Sequence, residues 1–183
     1  MTASGLDTEL RPRIRSPHIT DMNSPRPTVY IETTVIGHAV GRIRSDLVSA
    51  ARQAITRDWW PTASDHFELR LSQLVVDECA AGDPEAAAER LTLLEGISLL
   101  QVPPEAGDLA RLLVDRRAVP VSEPRDALHI ATAAFHGVDF LTTWNFRHIA
   151  NAVMMERIYE VCREGGYTSA AICTPEQLMK GSS

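Results

Sequence analysis

Four polar residues stand where a chain of alternating strands and helices usually keeps its chemistry, beyond strand ends and at helix starts. Glu32 ends the apolar run of "VYIETT", and Glu78 sits in "SQLVVDECAAG" just after a second strand pattern. Asp126 lies in the first turns of "PRDALHIATAA", and Asn145 follows "DFLTT". Singly, each has an ordinary explanation. Glu32 and Asp126 are acids that a helix N-terminus favours, and Glu78 is a solvated helix residue. Brought together they point to one chemistry. Clustered carboxylates cannot all stay ionised in a partly buried site, and a divalent cation removes that conflict. Mg²⁺ or Mn²⁺ prefers oxygen ligands and keeps several waters, so a few carboxylates suffice. Such an ion activates water and neutralises a phosphodiester transition state.

The neighbours divide less cleanly. Thr33 and Thr34 offer hydroxyls beside Glu32, either to fix its carboxylate and contact phosphate or to cap the following helix. His129, three residues after Asp126, shares a helix face with it. A packed, hydrogen-bonded role is expected there, with support of the acid or contact with substrate as the alternative. Trp144 and Phe146 flank Asn145 and are expected to stiffen the loop, although aromatics also stack on bases. Arg147 and His148 are the better phosphate candidates. Arg42, Arg44, Arg52 and Arg57 run into Trp59 and Trp60. They read either as a solvated helix face or as a basic rim that guides RNA or receives a protein partner.

The elements that must position these residues follow from the hydrophobic pattern. Strands are expected at "TVYIE", "HFELRLS", "ISLLQV", "VDFLTT" and "SAAIC". Helices are expected at "SDLVSAARQAITRDWW", with Ser45 as a candidate N-cap, and at "DPEAAAERLTLLEG", whereas "QLVVDECAAG" reads as a short helix or turn ending at Gly82. Further helices are "PEAGDLARLLVDRRAV", "SEPRDALHIATAAFHG" and "RHIANAVMMERIYEVCREGG". A capping box from Thr174 to Gln177 opens a last short helix in "TPEQLM". Alternation of this kind predicts an α/β fold, a central parallel sheet with helices on both faces.

The chain has 183 residues, of which 44% are hydrophobic, enough for one domain with a real core. Residues 1–27 carry Pro12, Pro17, Pro25 and Pro27 and no period, so a disordered tail is expected, with Met22 as an alternative start. Residues 28–180 form the expected domain. The N-terminus lacks the apolar core of a secretory signal, and no apolar run is long enough for a bilayer, so no membrane association is expected. The three scattered cysteines, Cys79, Cys162 and Cys173, suit a reducing cytoplasm. A formal net charge of −6 argues against a general nucleic-acid coat protein, yet catalytic acids themselves contribute to it.

The segments "VYIETTVIGHAV", "LSQLVVDECAAGD", "DALHIATAAFHGVDFLTTWNFRHIAN" and "CTPEQLM" resemble PIN-domain proteins. More narrowly they resemble the VapC-type toxins of bacterial type II toxin–antitoxin systems, over residues 28–180 and in the right order. The resemblance implies a single PIN-like domain and a metal-dependent endoribonuclease using Mg²⁺ or Mn²⁺. The family's first three acids fall on Glu32, Glu78 and Asp126, and its fourth position on Asn145. RNA, a cognate antitoxin and a homodimer are the implied partners. Two departures stand out: the first acid is usually Asp, and the fourth position is often Asp. With an amide there, the site carries three negative charges, so one divalent ion leaves −1 and two leave +1. One firmly held ion is expected, with a second arriving on the substrate phosphate. Glu32 and Asn145 also leave open a non-catalytic PIN module that binds RNA or protein, and nothing in the chain reads the sugar to exclude DNA.

Overall fold

The computed structural model describes residues 25–180. The expected tail, apart from residues 25–27, and the alternative start at Met22 lie outside the described residues. Five strands form one parallel sheet: β1 (Thr28–Ile31), β2 (Glu68–Ser72), β3 (Ser98–Leu100), β4 (Phe140–Thr142) and β5 (Ala171–Cys173). Their order across the sheet is β3-β2-β1-β4-β5. The central strand β1 is β-branched and aromatic, and its Val29, Tyr30 and Ile31 are buried. It pairs Val29 with Leu69 on one side and with Phe140 on the other.

The connecting helices are α1 (Thr33–Val40), α2 (Leu47–His66), α3 (Gln73–Ala80), α4 (Pro84–Leu93), α5 (Pro104–Asp115), α6 (Pro124–Phe135), α7 (Ala152–Glu164) and α8 (Pro175–Lys180). They pack in two sets that flank the sheet. One set groups α1 with α2, α3 and α4, with α8 against α2, and the other groups α5 with α6 and α7. Leu71, Ile130, Leu141 and Ile158 are among the residues that fill the core.

The strand order reverses between β1 and β4. The chain winds outward from β1 to β2 and β3, then returns to the other side of β1 for β4 and β5. Such a reversal opens a crevice beyond the strand C-termini, because the connections leave in opposite directions. Glu32 follows β1 and Thr143 follows β4, so both stand at that opening.

Several boundaries differ from the sequence expectation, each for a local reason. The N-cap of α2 is Asp46 rather than Ser45, and its carboxylate accepts from the Ser49 N–H at 2.8 Å. That helix also runs on through Pro61 to His66, forgoing one intrahelical bond where proline has no N–H. Helix α7 begins at Ala152 rather than Arg147. The Ile149 and Ala150 N–H groups turn back to the Asn145 carbonyl at 3.1 and 2.8 Å, and the Asn151 side chain caps the helix by accepting from Val153 N–H. At the C-terminus the capping box closes as expected: Thr174 N–H donates to Gln177 Oε1 at 2.8 Å, and Gln177 N–H to Thr174 Oγ1 at 3.4 Å.

One side chain fastens the loop after β4 to the helical layer. Trp144 is buried, and its indole N–H donates to Thr56 Oγ1 on α2 at 2.8 Å. Replacing Thr56 with Val keeps the shape and strands a buried donor. Denaturant unfolding of Thr56→Val should show a loss of about 1–3 kcal/mol, and an unchanged midpoint would show that the indole is satisfied without Thr56.

Candidate active site

Glu32 is placed by two elements at once. Its N–H extends the β1–β4 ladder by donating to the Thr142 carbonyl at 3.1 Å. Its side chain then caps α1, with Oε2 accepting from Thr34 N–H at 3.1 Å. The same oxygen accepts from Thr34 Oγ1 at 2.5 Å and from Thr143 Oγ1 at 2.7 Å. Three donors and the positive end of a helix thus hold a carboxylate that is only 3% exposed. Thr34 Oγ1 in turn accepts from Trp144 N–H at 2.9 Å, tying the loop after β4 to the start of α1.

Glu78 projects from α3 toward the same opening. Its Oε2 accepts from Thr33 Oγ1 at 2.5 Å and from His129 Nε2 at 3.1 Å, and Arg125 lies 3.7 Å from Oε1. Burial alone pushes this carboxyl up. The hydrogen bonds from His129 and Thr33, with the nearby Arg125 charge, outweigh it and hold the group below its ordinary value. Glu32, Glu78 and His129 each offer a ligand atom within 4.8 Å of the others.

Asp126 stands in the first turn of α6. Its Oδ2 accepts from Asn145 Nδ2 at 3.0 Å and from His148 Nδ1 at 3.0 Å. The other end of the Asn145 amide is also engaged: Oδ1 accepts from the His148 N–H at 3.0 Å. Asn145 is therefore a bridge between Asp126 and the loop backbone, a task a carboxylate at that position could not perform because it has no donor. Asp126 groups with Glu123 and His148, whose ligand atoms also lie within 4.8 Å of one another. The structure thus sets the acids in two groups. Thr143, fully buried, joins them: its hydroxyl donates to Glu32 and accepts from Asn145 N–H at 2.9 Å.

The donor set fits a hard divalent cation. Each acid has one oxygen held by protein donors. Among the described residues, Glu32 Oε1, Glu78 Oε1 and Asp126 Oδ1 accept no hydrogen bond. Oriented carboxylates with one oxygen left over are what an ion with oxygen ligands and several waters requires.

The remaining candidates are spread more widely. Thr33 and Thr34 serve different acids, Glu78 and Glu32 respectively. His148 joins the Asp126 group, whereas Arg147 is exposed, with its carbonyl accepting from Asn151 Nδ2. Arg42 and Arg44 lie exposed on the α1–α2 connection, whose backbone Gln53 holds by bonds to the Arg42 carbonyl and the Arg44 N–H. Arg57 instead donates to the Ala39 and Gly41 carbonyls. The Arg52 guanidinium stacks 4.8 Å from the Phe146 ring and 5.7 Å from the Trp144 ring. Arg42, Arg44 and Arg57 are thus exposed, and Arg52 and Arg57 also make structural contacts. Sequence reasoning did not single out Thr143 or Glu123, and neither carries a local signal: their roles depend on how β4 and α6 meet β1.

Asn145→Asp tests the bridge. It replaces the donor facing Asp126 with a second carboxylate. Without divalent cations the variant should lose about 1–3 kcal/mol in denaturant unfolding. Saturating Mg²⁺ should recover more stability in the variant than in the wild type. Equal stability of the two proteins in EDTA would show that the amide does not hold Asp126.

A family model described as "PIN domain" matches residues 29–152. Among solved structures, the crystal structure of VapBC2 from Rickettsia felis, bound to a DNA fragment from their promoter, is similar in fold. The TM-score is 0.52 and the identity 10%, over 80% of this chain and 98% of that one. No curated protein matches the sequence. The matched segment spans Glu32, Glu78, Asp126 and Asn145 and covers more than half of the chain, and the protein belongs to the PIN-domain family.

Proposed function

We propose that the protein is a metal-dependent endoribonuclease and the toxin of a type II toxin–antitoxin pair. The observation that carries this reading is the half-held state of the three acids: each is oriented through one oxygen and leaves the other without a hydrogen bond, that of Glu78 facing only Arg125 at 3.7 Å. Glu32 and Asp126 hold the ion, directly or through water, and Glu78 completes the set. Mg²⁺ or Mn²⁺ in that position supplies positive charge that acidifies water and offsets charge building on the phosphate oxygens.

The chain's own groups do the rest. Glu78, kept ionised by His129 and Thr33, presents Oε1 to the attacking water. A carboxylate below its ordinary pKa accepts a hydrogen bond well but keeps a proton poorly, so Glu78 orients the water more than it stores its proton. Asn145 acts through Asp126, since both ends of its amide are taken. Exposed Arg42, Arg44 and Arg147 supply positive charge for the RNA backbone, and His148 adds a polar edge beside Asp126.

The resemblance to VapC-type toxins suggests the partner, and the solved neighbour VapBC2 supports it. A cognate antitoxin is proposed here on that basis, together with a homodimer and a cytoplasmic location. Ile43, Leu47 and Val48 are exposed apolar side chains beside Arg42 and Arg44, a surface that suits a protein partner. Among the described residues, no helix is long and apolar enough to cross a membrane.

The test is to co-express the chain with its genomic neighbour, purify it, and incubate it with RNA and DNA in Mg²⁺, Mn²⁺ or EDTA. RNA should be cut only with the divalent ion, and Asp126→Asn should cut at least about a hundredfold more slowly. Absence of metal-dependent RNA cleavage, together with equal toxicity of wild type and Asp126→Asn in cells, would falsify the reading.

A further inference from the structure

We propose that His129 is a positioning residue, itself oriented by Tyr30 and Ser72, that fixes the Glu78 carboxylate at the site. The inference rests on the nuclease reading above for its purpose, and on a buried chain of hydrogen bonds for its geometry. Ser72 Oγ lies 2.6 Å from Tyr30 Oη, Tyr30 Oη lies 2.8 Å from His129 Nδ1, and His129 Nε2 lies 3.1 Å from Glu78 Oε2. Tyr30 and Ser72 are fully buried, and His129 is 1% exposed.

The direction of each bond follows from its end. An ionised carboxylate only accepts, so His129 Nε2 carries a proton toward Glu78. In a neutral imidazole Nδ1 then accepts, and the donor is the Tyr30 hydroxyl. Tyr30 oxygen accepts in turn from Ser72. Both nitrogens of His129 are committed, which makes it a support for Glu78 rather than a ligand, although one of its nitrogens lies within 4.8 Å of ligand atoms of Glu32 and Glu78.

Two features show that the chain is specific. Ser72 is the N-cap of α3, where a serine ordinarily bonds a backbone N–H of the first turn, yet its hydroxyl makes no capping bond there. It faces Tyr30 instead. Moreover, an apolar pair would fill the space of Tyr30 and His129 without any polar group to satisfy. The network ends on Glu78 Oε2, the oxygen that Thr33 also holds, and so leaves Oε1 without a hydrogen bond, 3.7 Å from Arg125. Helix α6 thereby serves both groups of acids, with Asp126 in one and His129, one turn on, in the other.

The experiment uses the full chain with ¹⁵N-labelled histidine, without added metal. Nitrogen NMR should show His129 Nε2 protonated, with the signal assigned by its loss in His129→Gln. An unprotonated Nε2 overturns the proposal, whether or not the protein cuts RNA. Kinetics provide the second arm. His129→Leu should lower kcat about ten- to a hundredfold while the RNA KM stays within about twofold. His129→Gln, whose amide N–H can reach toward Glu78, should recover most of that loss. A His129→Leu enzyme as fast as wild type overturns the proposal, as does a His129→Gln enzyme as slow as His129→Leu. If wild type cuts no RNA, the nuclease reading fails, and the nitrogen spectrum still decides whether His129 holds Glu78.

Discussion

Carboxylates crowded at the edge of a buried sheet repel one another, and each loses hydration as the protein covers it. The arrangement around Glu32, Glu78 and Asp126 is organised by that constraint. Each acid is held through one oxygen by donors: three from Thr34 and Thr143 on Glu32, two from Thr33 and His129 on Glu78, two from Asn145 and His148 on Asp126. The threonines and Asn145 donate without adding charge of their own. They steady the acids in the metal-free protein while leaving the net negative charge that attracts a cation.

The topology makes this possible. Because the strand order reverses between β1 and β4, the residues just past those two strands share one opening. Thr142 carries the ladder to Glu32, Thr143 donates to its carboxylate, and Trp144 donates its backbone N–H to Thr34. Three successive residues, the last of β4 and the two that follow it, thus touch the first acid and its helix. The Trp144 indole then pins the loop to α2. Precision at the site comes from this cross-bracing rather than from any single bond, since positioning within about half an ångström is what such chemistry needs.

Much of this was legible in the sequence, and the limits are physical. Apolar periodicity places the strands and helices, and an acid directly after "VYI" marks where β1 stops. The Asp83–Pro84 start of α4 and the Thr174–Gln177 box are likewise local signals that the fold retains. Boundaries were less legible where side chains compete with the helix backbone: Asp46 outbids Ser45 for the cap of α2, and Asn145 turns residues 147–150 back before α7 begins. Partnerships across the sheet left no local trace. Asn145 reads in sequence as a weaker ligand, whereas its amide bonds both Asp126 and the His148 backbone. His129 reads as a packed histidine, which it is, but its contact with Glu78 depends on α3 and α6 meeting across β1. Arg52 and Arg57 read as part of a basic face, and that reading carried no sign of the stacking of Arg52 or the carbonyl contacts of exposed Arg57.

The central claim is that the half-held acids form one cation site at the β1–β4 opening. The most direct measurement is anomalous diffraction from crystals grown in Mn²⁺. A peak is expected at that opening, contacting Glu32 or Asp126 and reaching the remaining acids directly or through water. A peak confined to Glu123, Asp126 and His148, or no peak at the sheet edge under saturating Mn²⁺, would contradict it.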